Sequence, residues 1–234
     1  WHGLALLSTG QVVSWGNNTY GQLGHGDRVT LWEPKIIESF AKDKIEMIAA
    51  GNSHSAVVNS KGEVYVWGNG IYGQIGHGRR ENCTDRPVLI DTLLSEKIIV
   101  VACGANHTMV LTESGKVFSW GAGTYGRLGI GNEQDQNSPA IVSYFTEKVV
   151  RTIAAGGAQS ACICAHMWVP DKDATNCMNC KKQFTFTRRR HHCRNCGGIF
   201  CHNCCSKRLP LLRFGFDEPV RVCNNCFSIN SQFS

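Results

Sequence analysis

Four Cys-x-x-Cys pairs fall in the last quarter of this 234-residue chain: Cys177/Cys180, Cys193/Cys196, Cys201/Cys204 and Cys223/Cys226. Eight soft ligands in four chelating pairs suit two tetrahedral structural zinc ions, two pairs to each. Spacing alone leaves open which pairs share an ion. The surrounding segment, residues 167–234, has few large apolar side chains. A core that small rarely holds itself, so metal is expected to supply the fold. Cys205 directly follows Cys204 and reads as a spare thiol, since the regular pairs already fill two sites. Only four of the thirteen cysteines lie outside residues 167–234. That distribution favours metal in a reducing compartment over a disulfide scaffold.

The same segment carries the positive charge. Residues 1–166 hold 13 Lys/Arg against 14 Asp/Glu, a balance of −1, whereas residues 167–234 hold 11 against 4, a balance of +7. Eight thiolates and two divalent ions would bring the second figure down to about +3. Nucleic acid is therefore not an expected partner. The charge is concentrated in Arg189-Arg190-His191-His192-Cys193-Arg194, with Arg221 close before Cys223. Arginine offers a planar fork of donors that matches a phosphate monoester, which has nearly two negative charges and three acceptor oxygens. No apolar run reaches the length of a membrane-spanning helix, and no signal peptide is visible.

Residues 1–166 are a repeat. Trp15 to Gly26, Trp67 to Gly78 and Trp120 to Gly131 align without gaps, with the Trp-Gly pairs 52 and 53 residues apart. A second signature lies between them: Ala49-Ala50-Gly51-Asn52-Ser53-His54, Ala102 to His107, and Ala154 to Gln159. A fixed period near 50 residues means stacked units or propeller blades. Within each unit the local pattern predicts strands. Glu63–Trp67 and Lys116–Trp120 are short runs that follow glycine turns, while Ile45–Ala50 and Lys97–Cys103 are continuously apolar. Gly68-Asn69-Gly70-Ile71-Tyr72-Gly73 matches a dinucleotide fingerprint, but no helical pattern follows and the motif recurs with the repeat. It reads as a blade turn. His54 and His107 recur as well, and Gln159 stands in their place in the third copy, so each reads as a structural residue that hydrogen-bonds the turn of its blade.

These residues resemble the regulator of chromosome condensation repeat, with its G-x-V-x-x-W-G-x-N-x-x-G-Q-L-G-x-G and I-x-x-I-A-A-G-x-x-H-S patterns. The resemblance implies a β-propeller, commonly of seven blades. Three units and a partial one at Trp1–Leu7 cannot close a ring, and the chain starts at Trp1 inside the pattern. It is therefore expected to be a piece of a longer protein with further blades upstream.

Residues 167–234 resemble a FYVE zinc finger. Trp168-Val169-Pro170-Asp171 matches W-x-x-D, Arg189 to Gly197 matches R-[RK]-H-H-C-R-x-C-G, and Arg221-Val222-Cys223 matches R-V-C. The resemblance implies a cross-brace, with Cys177, Cys180, Cys201 and Cys204 on one zinc and Cys193, Cys196, Cys223 and Cys226 on the other. It implies phosphatidylinositol 3-phosphate as the ligand. Arg190, Arg194 and Arg221 would take the 3-phosphate and Arg189 the 1-phosphate. His191, His192 and Asp171 would contact the ring, with Trp168 as part of the site. Phe186 and Thr187 occupy the family's membrane-inserting loop, while Phe184 is expected in the core. Arg188 stands where that loop often has an apolar residue.

The expected fold is mainly β: a partial propeller of about three blades over residues 1–166, then a small α+β double-zinc cross-brace module over 167–234. The expected protein is not an enzyme. It is recruited from the cytoplasm to the periphery of early endosomal membranes through two zinc ions and one lipid, with the propeller as a surface for a protein partner. The alternative is a guanine-nucleotide exchange factor acting on a small GTPase at that membrane.

Overall fold

The computed structural model describes residues 1–79, 83–146, 148–165, 168–212 and 215–230. It divides into two compact units, Trp1–Ala165 and His166–Ser234. The first unit is built of four antiparallel sheets taken in chain order. Sheet one has β1 (His2–Leu6), β2 (Val12–Gly16) and β3 (Leu31–Ile36). Sheet two has β4 (Ile45–Ala50), β5 (His54–Asn59), β6 (Val64–Asn69) and β7 (Cys83–Leu89). Sheet three has β8 (Ile98–Cys103), β9 (His107–Thr112), β10 (Val117–Gly121) and β11 (Gln136–Ile141). Sheet four has β12 (Val150–Gly156) and β13 (Gln159–Cys164). The strand content is that of about three propeller blades. The sheet boundaries are offset from the sequence repeat: each four-stranded blade begins at the Ala-Ala-Gly signature and ends just after the next Trp-Gly segment.

Each outermost strand carries a proline at the same place: Pro34 in β3, Pro87 in β7 and Pro139 in β11. Proline lacks the N–H a central strand must donate, so the residue suits an edge and discourages further pairing there. The cores lie between successive sheets. Val12, Ile37 and Phe40 pack with Ile45, Val57 and Trp67. Val58, Val64 and Val66 pack with Ile98, Val101 and Trp120. Met109, Leu111 and Val142 pack with Val150 and Ile153. A blade therefore buries its faces only against its neighbours, as expected of a repeat architecture.

The two repeated signatures meet at one backbone atom per blade. The Gln22 carbonyl accepts from the Trp67 indole N–H (2.9 Å) and from the Ser55 hydroxyl (2.7 Å). The Gln74 carbonyl accepts from Trp120 (2.9 Å) and Thr108 (2.9 Å). The repeated tryptophan thus clips onto the Gln-Leu-Gly turn of the blade before it. Each hydroxyl also meets the histidine of the preceding unit: His2 Nε2 with Ser55 at 2.7 Å, His54 Nε2 with Thr108 at 3.0 Å, and His107 Nε2 with Ser160 at 2.9 Å. A hydroxyl has one proton, and here it goes to a carbonyl that cannot donate. The imidazole Nε2–H is therefore the donor, and Nδ1 is left without a partner in all three rings. The repeated histidines bond the next blade rather than the turn of their own.

The glycine of the Ala-x-Gly signature makes this possible. A Cβ at Gly104 would lie 2.0 Å from His107 Cε1, so only glycine leaves room for the ring. At Gly156, where Gln159 replaces histidine, a Cβ would meet nothing within 4 Å.

Burial is the largest cause that lowers these imidazole pKa values from 6.5, to about 4 for His2, about 3 for His54 and about 4 for His107. The unfolded chain then takes up protons first. Stabilisation present above pH 6.5 is lost as pH falls from there towards 3–4. Guanidinium unfolding of the intact protein, followed by tryptophan fluorescence, should show its midpoint falling between pH 7 and 5. His54→Gln, which keeps an N–H donor but cannot titrate, should flatten that slope; parallel slopes for the two proteins would count against the assignment.

Candidate metal centres and anion cleft

The second unit has little regular structure: β14 (His191–His192) with β15 (Ile199–Phe200), β16 (Lys207–Leu211) with β17 (Phe216–Val222), and helix α1 (Asn224–Asn230). Its buried cluster has thirteen residues, of which Cys177, Cys193, Cys201, Cys204, Cys205, Cys223 and Cys226 are seven. More than half of this cluster's residues carry a thiol, so these groups must be accommodated chemically as well as sterically.

They converge in two groups. Cys177, Cys180, Cys201 and Cys204 form one, and Cys193, Cys196, Cys223 and Cys226 the other, with all sulfurs of a group within 4.8 Å of one another. Four thiolates at ~2.3 Å from one zinc ion lie ~3.8 Å apart. The Cys180 and Cys201 sulfurs are 3.8 Å apart. Pairs one and three thus form one site and pairs two and four the other, which is a cross-brace. The first two pairs turn alike: Lys181 N–H donates to the Cys177 carbonyl (2.9 Å) and Gly197 N–H to the Cys193 carbonyl (2.9 Å). Both returning residues have left-handed φ, 61° at Lys181 and 71° at Gly197. Burial raises the Cys177 pKa, but N–H groups of Cys201, Cys180 and Asn179 donate to the sulfur and hold it at about 6. Burial instead raises Cys204 to about 12 and Cys223 to about 11, so at those ligands the metal itself must displace the proton. The chain holds two zinc ions through these groups.

Cys205 is wholly buried and belongs to neither group. Its hydrogen bond with Cys193, followed by its burial, pushes its pKa up, so it stays a neutral thiol beside the second centre.

The second centre also gathers the basic residues. Cys193 lies between His192 and Arg194, and Cys223 two residues after Arg221. Arg194 N–H donates to the Arg221 carbonyl at 2.8 Å. Arg190, His191, His192, Arg194 and Arg221 line one open cleft of about 350 Å³, joined by Arg208 and Val220. No carboxylate is among the lining residues. Arg190 lies over the Phe184 ring (5.1 Å) and donates to the Ala174 carbonyl (3.0 Å). Arg194 lies over Trp168 (4.3 Å), and Arg221 donates to the Cys205 carbonyl (2.7 Å). Arg190 and Arg221 are anchored by one donor each and Arg194 by its face, which fixes their directions and leaves other donors for a ligand.

His192 donates from Nε2 to the Val169 carbonyl (2.8 Å), packs on Trp168 and lies 3.7 Å from Asp171. It fastens the Trp168–Asp171 segment to the cleft. Burial, then the charges of Arg221, His202 and Arg189, lower the His191 pKa. Arg189 is not in this cleft. It lines a second one, of about 410 Å³, with Thr187, Arg188, His191, Cys201, His202 and Asn203, so His191 is common to both. Trp168 and Asp171 line neither cleft and support the first through His192 and Arg194. Phe184 is buried, whereas Phe186 is 90% exposed beside Thr187. Arg208, His202 and Asn203 were not marked by sequence reasoning. They carry no motif, and only strand register or the fold of the third pair brings them in.

Comparison with known proteins places both units. The model of the regulator of chromosome condensation (RCC1) repeat matches residues 9–58, 61–111 and 114–163, and that of the FYVE zinc finger matches residues 167–232. The E3 ubiquitin-protein ligase HERC2 of Homo sapiens is 42% identical over 161 residues, which are 66% of this chain and 3% of that protein. The ultraviolet-B receptor UVR8 of Arabidopsis thaliana is 38% identical over 157 residues, 66% of this chain and 35% of that protein. The chain therefore spans only a small part of these relatives. Among solved structures, Prp20p from Saccharomyces cerevisiae superposes with a TM-score of 0.65 at 25% identity, over 74% of this chain and 43% of that one. Human WBSCR16 gives 0.59 at 29% identity, over 67% and 40%.

The geometry sets a metal-content test. Cys205→Ser should retain both zinc ions by native mass spectrometry, while Cys204→Ser should lose one. Retention of both ions by Cys204→Ser together with loss by Cys205→Ser would exchange their roles.

Proposed function

The chain belongs to the regulator of chromosome condensation (RCC1) repeat family and carries a FYVE zinc finger at its C-terminal end, and from that premise we propose that it is a membrane-recruitment protein. Its zinc finger reads phosphatidylinositol 3-phosphate on the cytoplasmic face of early endosomes, and its propeller repeats present a surface to a protein partner. The observation that carries the reading is the acid-free cleft of four arginines and two histidines, close in sequence to the exposed Phe186 loop.

A phosphate monoester needs several strong donors around one point. Arg190, Arg194 and Arg221 supply them for the 3-phosphate. Arg189, in the neighbouring cleft, takes the 1-phosphate, whose ring carbon is separated from that of the 3-phosphate by a single carbon. His191 stands between the two clefts and contacts the ring, Asp171 reaches ring hydroxyls from outside the cleft beside His192 (3.7 Å), and His192 and Trp168 hold Asp171 and Arg194 in place. Phe186 and Thr187 enter the lipid interface. An aromatic ring gains ~1.5–3 kcal/mol on leaving water. Arg188, next to them, stays in the anionic headgroup zone and makes the insertion salt-dependent. The proposed attachment, through a headgroup and an inserted ring, is peripheral; among the described residues no helix is long and apolar enough to cross a membrane.

The chain contributes no chemistry of its own in this reading. Its match to HERC2 is confined to 3% of that ligase, and ligase activity does not travel with so small a part. A second reading rests on the likeness to Prp20p, which binds Gsp1p and histones. On that basis the propeller would act as an exchange factor on a small GTPase at the membrane, and release of labelled nucleotide from candidate GTPases would reveal it.

Zinc-loaded protein should sediment with vesicles containing phosphatidylinositol 3-phosphate in preference to the 4- and 5-phosphate isomers at equal surface charge. Arg190→Ala should remove the preference. Equal binding to all three isomers would reduce the cleft to a general anionic patch. Phe186→Asp should weaken vesicle binding on the order of tenfold or more while zinc content stays intact; unchanged binding would remove the insertion step.

A further inference from the structure

The hairpin of β16 and β17 contributes more to the cleft than the Arg221 motif. Its register pairs Lys207 with Val222, Arg208 with Arg221 and Leu209 with Val220. Side chains alternate along each strand. Leu209, Leu211, Val220 and Val222 pack on the cysteine core, so Arg208 and Arg221 share the opposite face. They are direct cross-strand partners, and both line the cleft with Arg190, His191, His192 and Arg194. Arg208 is exposed and its guanidinium donates to the Pro219 carbonyl at 3.4 Å, a long bond.

Like charges directly opposite each other on a hairpin are destabilising, because their Cβ atoms lie only ~4.5–5.5 Å apart. A hairpin selected for stability would place an acid or a neutral side chain across from Arg221. Here a second guanidinium faces the same cleft, whose other lining residues are basic or apolar. An anion bound between the two arginines turns the repulsion into two attractions.

We propose that Arg208 is a further ligand-binding residue, forming with Arg221 a cross-strand clamp on the phosphomonoester that the cleft receives. The inference rests on the phosphoinositide reading above and adds a residue to it that none of the three sequence motifs contains. Two guanidiniums on neighbouring strands approach one phosphate from two directions. Together they favour a dianionic monoester, with its three free oxygens, over a monoanionic diester that offers two.

The test uses the zinc-loaded full chain and three probes: soluble inositol 1,3-bisphosphate, inorganic phosphate, and vesicles containing phosphatidylinositol 3-phosphate. Arg208→Gln should weaken the soluble headgroup on the order of tenfold or more, as expected for one charge-assisted bond. Arg208→Lys should recover only part of the loss, since an ammonium lacks the fork. The same ratio of parent to variant is expected on vesicles, with a smaller ratio in the same direction for inorganic phosphate. Arg208→Glu separates ligand binding from folding: it should weaken binding further while raising the unfolding temperature of the ligand-free protein, because opposite charges then face each other across the strands.

Unchanged headgroup binding by Arg208→Gln, with Arg190→Ala abolishing it, would overturn the clamp and leave the phosphoinositide reading standing. Loss on vesicles alone, with soluble binding unchanged, would make Arg208 a general bilayer contact and also overturn it. Failure of the parent protein to bind any of the three probes would overturn both. A fall in unfolding temperature for Arg208→Glu would show a structural role and count against the clamp.

Discussion

Convergence of four thiolates on one metal is the constraint from which the C-terminal unit follows. The unit has too little apolar surface to collapse on its own, and seven of the thirteen residues in its buried cluster are cysteines. Two tetrahedral centres cost the chain its freedom at four places but hold segments that would otherwise drift apart. The second centre is the consequential one. It ties the Arg189–Arg194 run to the strand of Arg221, and the backbone bond from Arg194 to Arg221 completes the join. Charges more than twenty-five residues apart in sequence then face one cleft. Metal therefore shapes the cleft here from outside it, since the cysteine ligands of the second centre do not line it.

The N-terminal unit solves the opposite problem. It has ample apolar surface but no single core, since each layer is shared between two successive sheets. Alignment between sheets needs directional bonds as well as burial. A single carbonyl per blade supplies it, accepting an indole N–H and a hydroxyl together, while a buried neutral imidazole donates to that hydroxyl from the unit before. Every link uses residues of consecutive units only. The stability of such an array grows by neighbour terms, and the charge state of the imidazoles enters each of them.

The cleft concentrates like charge on short strands that contribute little to stability. Aromatic and carbonyl anchors offset part of the cost by holding each guanidinium in place: Phe184 under Arg190, Trp168 under Arg194, and Cys205 behind Arg221. These anchors also reduce the ordering entropy that a ligand would otherwise have to overcome. A site preorganised in this way spends folding stability on recognition.

Much of this was legible in the chain itself. Period, turn glycines and strand alternation marked the repeats, because stacked units must repeat their contacts at a fixed spacing. Cys-x-x-Cys pairs marked the metal, because a chelating turn has a fixed length. The role of His54 and His107 was only half legible: their recurrence spoke for structure, but the partner hydroxyl lies about fifty residues away on another sheet. Alternation does not separate buried Phe184 from exposed Phe186, since residues two apart share a strand face; the bend over 186–188 does. What tertiary structure alone decided was adjacency between segments. The division of the basic residues between two clefts, with Arg189 apart from Arg190, depends on side-chain direction in an irregular stretch. The meeting of Arg208 with Arg221 depends on hairpin register, and a shift of one residue would turn Arg208 to the other face. Spacing along a chain sets which neighbours can chelate or alternate; only the closed fold sets which distant charges must share a space.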